Sequence, residues 1–224
     1  MGAEGYGQHV QMQIQDWPPG EPITAAAVAA NLAVAFGIGI EKAKKVTNVN
    51  MKRLVDKGKL AHVQKGVYGK VKATPFGRLE PNTDEIITGL LLREGANVIG
   101  YIVGPTLLNA VGLCSWLPKE RHIATNNYRR QIPAGASIRV YKPVIPVNDE
   151  NAPYLEAIEA FAALDRYPID AEKPDEILRG ILRSSQIDNE KLIWYARNHY
   201  GNTTLLKTID IALGGYNIEA SQRS

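Results

Sequence analysis

The stretch EKAKKVTNVNMKRLVDKGKLAHVQKGVYGKVK, residues 41–72, decides the fold. Its first part has helical spacing. Ala43, Val46, Val49 and Leu54 share one face of a helix from about Glu41 to Lys57, and Gly58 ends it. The pattern then changes to period two. His62 and Gln64 alternate with Ala61 and Val63, Lys65-Gly66 makes a turn, and Val67 to Val71 returns as the second strand of a hairpin.

Two more helices precede this stretch. Gln8 to Trp17 carries Val10, Ile14 and Trp17 at i, i+4 and i+7, and Pro18-Pro19-Gly20 stops it. Thr24 stands as the N-cap of Ala25 to Phe36, which Gly37 and Gly39 close. Three helices followed by a hairpin is the order of a winged helix-turn-helix. Thr74 to Pro81, with two prolines and a glycine, reads as a linker. The expected domains are therefore 1–78 and 79–224.

The second domain opens with a helix from Thr83, its cap, to Arg93. Val98 to Val103 reads as a buried strand and Pro105 to Val111 as a short helix. Arg121 to Thr125, Arg130 to Pro133 and Ala136 to Tyr141 read as strands, the last two joined at Pro133-Ala134-Gly135. Helices follow at about 153–165, 174–184, 188–199 and 203–213, and the tail Tyr216 to Ser224 is expected to fray. The expected class is α+β: an N-terminal winged helix-turn-helix, then an α/β domain that becomes mostly helical toward the C-terminus.

Composition excludes several classes. Of 224 residues, 45% are hydrophobic and 22% charged, which is ordinary for a globular chain and unlike a disordered or collagen-like one. The two long uncharged stretches, Pro22 to Ile40 and Gly95 to Pro118, are broken by Gly, Pro and Asn, so no membrane span is expected. The single Cys114 cannot form an internal disulfide, and Met1 to Gln15 holds no Lys or Arg to lead a signal peptide. A cytoplasmic location is the expectation.

Charge is unevenly spread. The net value is only +3, yet residues 41–78 hold 11 Lys/Arg against Glu41 and Asp56. Such asymmetry points to a polyanion partner. On the helix of residues 41–57, Lys44, Lys45, Asn48 and Lys52 lie opposite the apolar face just named, while Lys42 and Arg53 flank it. Lysines hold phosphates, and Asn reads base edges with two hydrogen bonds. Lys44, Lys45 and Asn48 are expected in a DNA groove, Lys52 on phosphate, and Thr47 against a thymine methyl. Arg53 contacts DNA or holds the wing by a hydrogen bond. Lys65, Lys70 and Lys72 of the hairpin form the expected second electrostatic contact.

Catalytic patterns are missing. His9, His62, His122 and His199 are isolated, and no Cys-x-x-Cys, Gly-x-Ser-x-Gly or Walker-type loop occurs. No Asp-x-Lys or Glu-x-Lys is present to seat a common nuclease core. No metal and no cofactor are expected, and the chain reads as a non-enzyme. The rival reading is a DNA-directed enzyme, nuclease-like or acting on nucleotides, with Arg121, Arg129, Arg130 and Arg139 lining a groove of the second domain.

The run Met51 to Leu60, followed by Gly66-Val67-Tyr68, resembles the N-terminal winged helix of AbiEi-type antitoxins. There an Arg-Leu-Val-x-x-Gly helix end leads into a wing finishing in Gly-x-Tyr. Leu108-Asn109-Ala110-Val111-Gly112-Leu113, Leu117-Pro118 and Ala124-Thr125 are similar to that family's next domain, with Val111 in place of a Leu. The resemblance spans roughly 10–145. It implies the antitoxin of a bacterial type IV toxin–antitoxin (abortive infection) system, a phage-defence transcriptional regulator. Such a protein represses its own promoter at inverted repeats. It counteracts a nucleotidyltransferase-like toxin without a stable complex, and its C-terminal domain carries that activity.

Overall fold

The computed structural model describes residues 3–18, 20–184 and 187–214, and shows a mixed α+β chain. The predicted fraying of Tyr216 to Ser224 lies outside the described residues. Two compact units are present. The first runs to Leu90 and includes Ile132–Ala136; the second comprises Leu91–Gln131 and the chain from Ser137. The division therefore falls at Leu90/Leu91, beyond the expected 78/79 boundary.

The first unit opens with α1 (Ala3–Asp16), a two-residue strand β1 (Ile23–Thr24), α2 (Ala25–Phe36) and α3 (Ile40–Asp56). Thr24 caps α2: its side chain accepts from the Ala27 N–H at 3.2 Å. Gly58 has φ +63°, which suits glycine, and the Lys59 N–H then reaches back to the Leu54 carbonyl at 2.9 Å to finish α3. Val10, Ile14, Val28, Leu32, Ala43, Met51 and Leu54 from the three helices form one core.

A hairpin follows, β2 (Leu60–Gln64) and β3 (Val67–Lys70), with a register irregularity between His62 and Gln64. Its inner strand β3 also pairs antiparallel with β1, Ile23 opposite Tyr68 and Thr24 opposite Val67. The sheet order is β1-β3-β2.

Where a linker is expected, a second hairpin forms instead: β4 (Lys72–Thr74) and β5 (Gly77–Leu79). Pro at the second and Gly at the fourth position of Thr74-Pro75-Phe76-Gly77 suit a tight turn as well as a linker. The Thr74 hydroxyl donates to the Gly77 carbonyl at 2.8 Å and closes it. The next helix, α4 (Thr83–Leu92), is capped by Asn82 rather than Thr83. Asn82 Oδ1 accepts from the Asp84 and Glu85 N–H groups at 3.0 and 3.4 Å.

The second unit begins with a small ladder, β6 (Arg93–Glu94) and β7 (Asn97–Val98), then β8 (Gly100–Ile102), α5 (Gly104–Ala110), β9 (Arg121–Thr125) and β10 (Ile138–Tyr141). In the sheet β10-β9-β8, β8 is antiparallel to β9 but β10 is parallel to it. The expected strand at Arg130 to Pro133 and its hairpin are therefore absent; turns and loop occupy 126–137. About a dozen residues is enough chain to cross over into a parallel neighbour.

The helical remainder is α6 (Ala152–Ala163), α7 (Pro174–Ser184), α8 (Asn189–His199) and α9 (Asn202–Ala212), within a residue or two of expectation. Leu155, Ile158 and Phe161 of α6 are fully buried, and α6 is the helix around which this core is built. Among the described residues, no helix is long and apolar enough to cross a membrane.

Gly100 tests the sheet. A Cβ there would lie 2.3 Å from the Leu91 carbonyl oxygen and 2.7 Å from that of Ala124. Both are backbone atoms and cannot swing away. Gly100→Ala should cost about 3 kcal/mol in urea denaturation. A loss under about 1 kcal/mol would contradict this packing.

Candidate nucleic-acid interface

On α3 the buried positions are Ala43, Thr47, Met51 and Leu54. The sequence expectation placed Val46 and Val49 on that face instead. Val46 is half-buried, whereas Val49 is 51% exposed. The helix is thus turned so that Thr47 enters the core and Val49 leaves it. Thr47 is completely buried, so the expected contact with a thymine methyl is corrected. Its short β-branched side chain fits between the facing helices, and its hydroxyl finds no partner.

The remaining expected residues of α3 are solvent-facing: Lys42, Lys44, Lys45, Asn48, Lys52 and Arg53 are all exposed. Lys44 donates to Glu41 at 2.8 Å, a surface pair worth little in water. Lys42 lies 5.6 Å from the Tyr6 ring centroid, a cation–π distance. Lys42, Lys45, Val49, Lys52 and Arg53 recur at three- and four-residue spacing, which places them along one stripe. Val49 therefore lies in this solvent-facing stripe rather than in the core, which only the rotation of α3 reveals.

The hairpin cations divide. Lys65, at the β2–β3 turn beside Gly66 (φ +74°), and Lys72 of β4 are exposed. Lys70 is committed elsewhere. Its ammonium donates to the Gln15 and Trp17 carbonyls at 2.6 and 3.3 Å, at the C-terminal end of α1. A cation satisfies carbonyls left open by a helix end. Lys70 is thus a tie between β3 and α1, which corrects its placement as an outward wing contact.

A second group of cations was not anticipated. Lys57, Lys59 and Arg78 line a hollow of about 420 Å³ with an apolar floor that includes Ile14, Leu54 and Val71. The Arg78 guanidinium lies so close over Gly58 that a Cβ there would fall 2.0 Å from it. These residues belong to the same basic excess, but only the β4–β5 hairpin brings Arg78 to the end of α3.

In the second unit, two of the four arginines of the rival reading have partners of their own. Arg139 pairs with Glu120 at 2.9 Å, and Arg129 lies 5.4 Å from the Tyr128 ring centroid. Arg129 and Arg130 border one depression with Asn126, Asn127 and Tyr128, while Arg121 and Arg139 are not part of its lining. Cys114 is buried, and burial and Asp170 both push its thiol up, as in an inert side chain. Among the described residues no cluster of His, Cys, Asp and Glu is arranged to hold a metal.

No protein-family model, curated protein or solved structure matches the chain.

The rotation of α3 has a direct test. Thr47→Val keeps the shape and removes a buried hydroxyl without a partner. The variant should be more stable by about 1 kcal/mol in urea denaturation. A variant less stable than the parent would contradict a buried hydroxyl without a partner.

Proposed function

We propose that the first unit is a winged helix-turn-helix that binds duplex DNA. The observation that carries the reading is the element order α1-β1-α2-α3-β2-β3 with sheet order β1-β3-β2, joined to a cationic solvent stripe on α3. In this reading α3 is the recognition helix. Lys45, Lys52, Lys42 and Arg53 serve phosphates or base edges, Asn48 reads an edge, and Val49 meets a thymine methyl. Lys44 is held back in part by Glu41. Lys65 at the hairpin turn and Lys72 supply the flanking phosphate contacts.

The wider role we propose is that of a cytoplasmic transcriptional repressor and type IV antitoxin. It would bind inverted repeats in its own promoter and counteract a nucleotidyltransferase-like toxin. Support comes from the residue resemblance at Met51 to Tyr68 and Leu108 to Thr125, and from the absence of a catalytic pattern in the sequence. The second unit would carry the antitoxin activity without catalysis.

Binding to the upstream promoter should weaken steeply with salt, with a log–log slope of about −0.9 per phosphate neutralised. Lys45→Ala with Lys52→Ala should weaken binding and reduce that slope by roughly two. A double variant with the parent affinity and slope in fluorescence anisotropy would remove α3 from the interface. For the antitoxin role, co-expression with a nucleotidyltransferase-like toxin encoded beside it should restore growth. Rescue should survive the Lys45/Lys52 double change, because DNA binding and neutralisation are assigned to different units. Failure of the parent protein to rescue would leave a solitary regulator.

A further inference from the structure

The β4–β5 hairpin stands in the first unit without a part in its core. Residues 72–80 are all exposed, on both faces of the ribbon. A two-stranded ribbon with neither face covered is at best marginal in water. Its root is nevertheless fixed. Just before β4, the Val71 N–H donates to the Lys59 carbonyl at 3.1 Å. Just after β5, Pro81 closes over Gly69, where a Cβ would lie 2.5 Å from the Pro81 ring. Arg78 lies over Gly58 at the end of α3. The ribbon is therefore an arm held at its root, with Pro75 and Phe76 at its tip.

Two properties of this arm point to what covers it. The first is charge. Residues 57–79 hold six Lys/Arg and no Asp or Glu. Lys57 follows Arg53 by four residues, one turn further along α3, and Lys57, Lys59 and Arg78 line one hollow. The cationic stripe of α3 thus continues past the helix end onto the arm. Strand pairing sets Lys72 and Leu79 on one face of the ribbon and Ala73 and Arg78 on the other, so a cation stands on each face behind the tip. The second property is the tip itself. Phe76 is completely exposed. A turn of the form Thr-Pro-X-Gly takes most residues at X, so the turn does not call for an aromatic ring. A ring left wholly in water also contributes nothing to the core.

We propose that the β4–β5 hairpin is a second DNA-contacting arm, which sets its cations on the phosphates beside the α3 site and wedges Phe76 between two base pairs from the minor groove. The inference rests on the reading of this unit as a duplex-DNA binder, and adds to it a contact and a deformation of the duplex. Apolar side chains inserted in this way unstack a base step and kink the duplex by about 20–90°. Phosphate contacts position such a wedge, and Lys72 and Arg78 flank this one. Flexible TA steps are the easiest to open.

The probe is a duplex of roughly 30 base pairs with TA steps at its centre, titrated at low salt with the full chain. One version carries a donor and an acceptor dye at its ends, and another carries 2-aminopurine at a TA step. Binding should shorten the distance between the ends and raise the 2-aminopurine emission as its neighbour unstacks. Phe76→Ala should remove both signals and weaken binding by about tenfold. Phe76→Leu, still an apolar wedge, should keep most of both. Lys72→Ala with Arg78→Ala should reduce the log–log salt slope by roughly two. All three positions are exposed, so the variants retain the fold, checked by melting temperature. Binding by the parent with neither signal overturns the arm and leaves the α3 reading standing, whereas absence of duplex binding by the parent overturns both. A Phe76→Ala variant that bends DNA like the parent but loses self-association, or loses binding to anionic vesicles, assigns the tip to a second copy or a membrane and overturns the proposal.

Discussion

The solvent face of the first unit depends on which stripe α3 buries. A helix presents one apolar stripe to a core, and the rest of its surface follows from that choice. Here the stripe is Ala43, Thr47, Met51 and Leu54, packed with Val28 and Leu32 of α2 and Val10 and Ile14 of α1. Met51 fills the centre completely buried. Hiding the Thr47 hydroxyl without a partner costs about 1–3 kcal/mol. The alternative rotation would bury Val49 but carry charged neighbours toward the core, and an unpaired buried charge costs far more. Leaving one valine half in water is the smaller penalty, and it sets that valine among cations.

A second constraint holds α3 where it is. Thr24 both caps α2 and pairs with Val67, while the Ala25 N–H donates to the Gly66 carbonyl at 2.9 Å. The start of α2 is therefore tied to the turn of the β2–β3 hairpin. At the other end of β3, Lys70 is tied to the Gln15 and Trp17 carbonyls, in the last turn of α1 and just past it. Anchored at both ends, β3 has one register, and a one-residue slip would reverse every side chain on it. Val67 would then leave the core, where it is 2% exposed. Lys65 stays outward because it sits at the turn beyond both ties.

Local signals were legible in the sequence; distant ones were not. The ends of α2 and α3 are written in Thr24, Gly37 and Gly58, residues whose chemistry acts within a few positions. The helices α6 to α9 repeat apolar residues often enough to declare themselves. By contrast β1 has two residues, too few for any periodicity, and exists because β3 stands opposite it. Pro75 and Gly77 break a helix equally well in a linker and in a hairpin turn, so composition alone cannot separate the two. The exchange of Thr47 and Val49 is subtler. Hydrophobicity favours valine in the core, and only the angular positions of Lys45, Lys52 and Arg53 around the helix decide against it. Most of the candidate interface was thus readable as a set of cations. Which of them Lys70 and Arg78 would join depended on contacts made far along the chain.

The same distinction governs the second unit. A Pro-Ala-Gly triplet after Arg130 argues for a local hairpin, and local turn chemistry offers nothing against it. The chain instead crosses over and lays β10 parallel to β9. Asn126 consolidates the exit from β9 by exchanging two hydrogen bonds with the Val147 backbone, both at 2.8 Å. Parallel pairing is what sets Tyr141 opposite Ala124, where Tyr101 already stands on the other side. The expected antiparallel hairpin would have folded the strand from Ala136 to Tyr141 back along Arg130 to Pro133 and left β9 without its second tyrosine. The placing of two tyrosines on either side of Ala124, with His122 on the same face, is therefore a product of strand direction. No reading of Tyr101, His122, Ala124 and Tyr141 by local spacing brings them together, because three separate strands carry them.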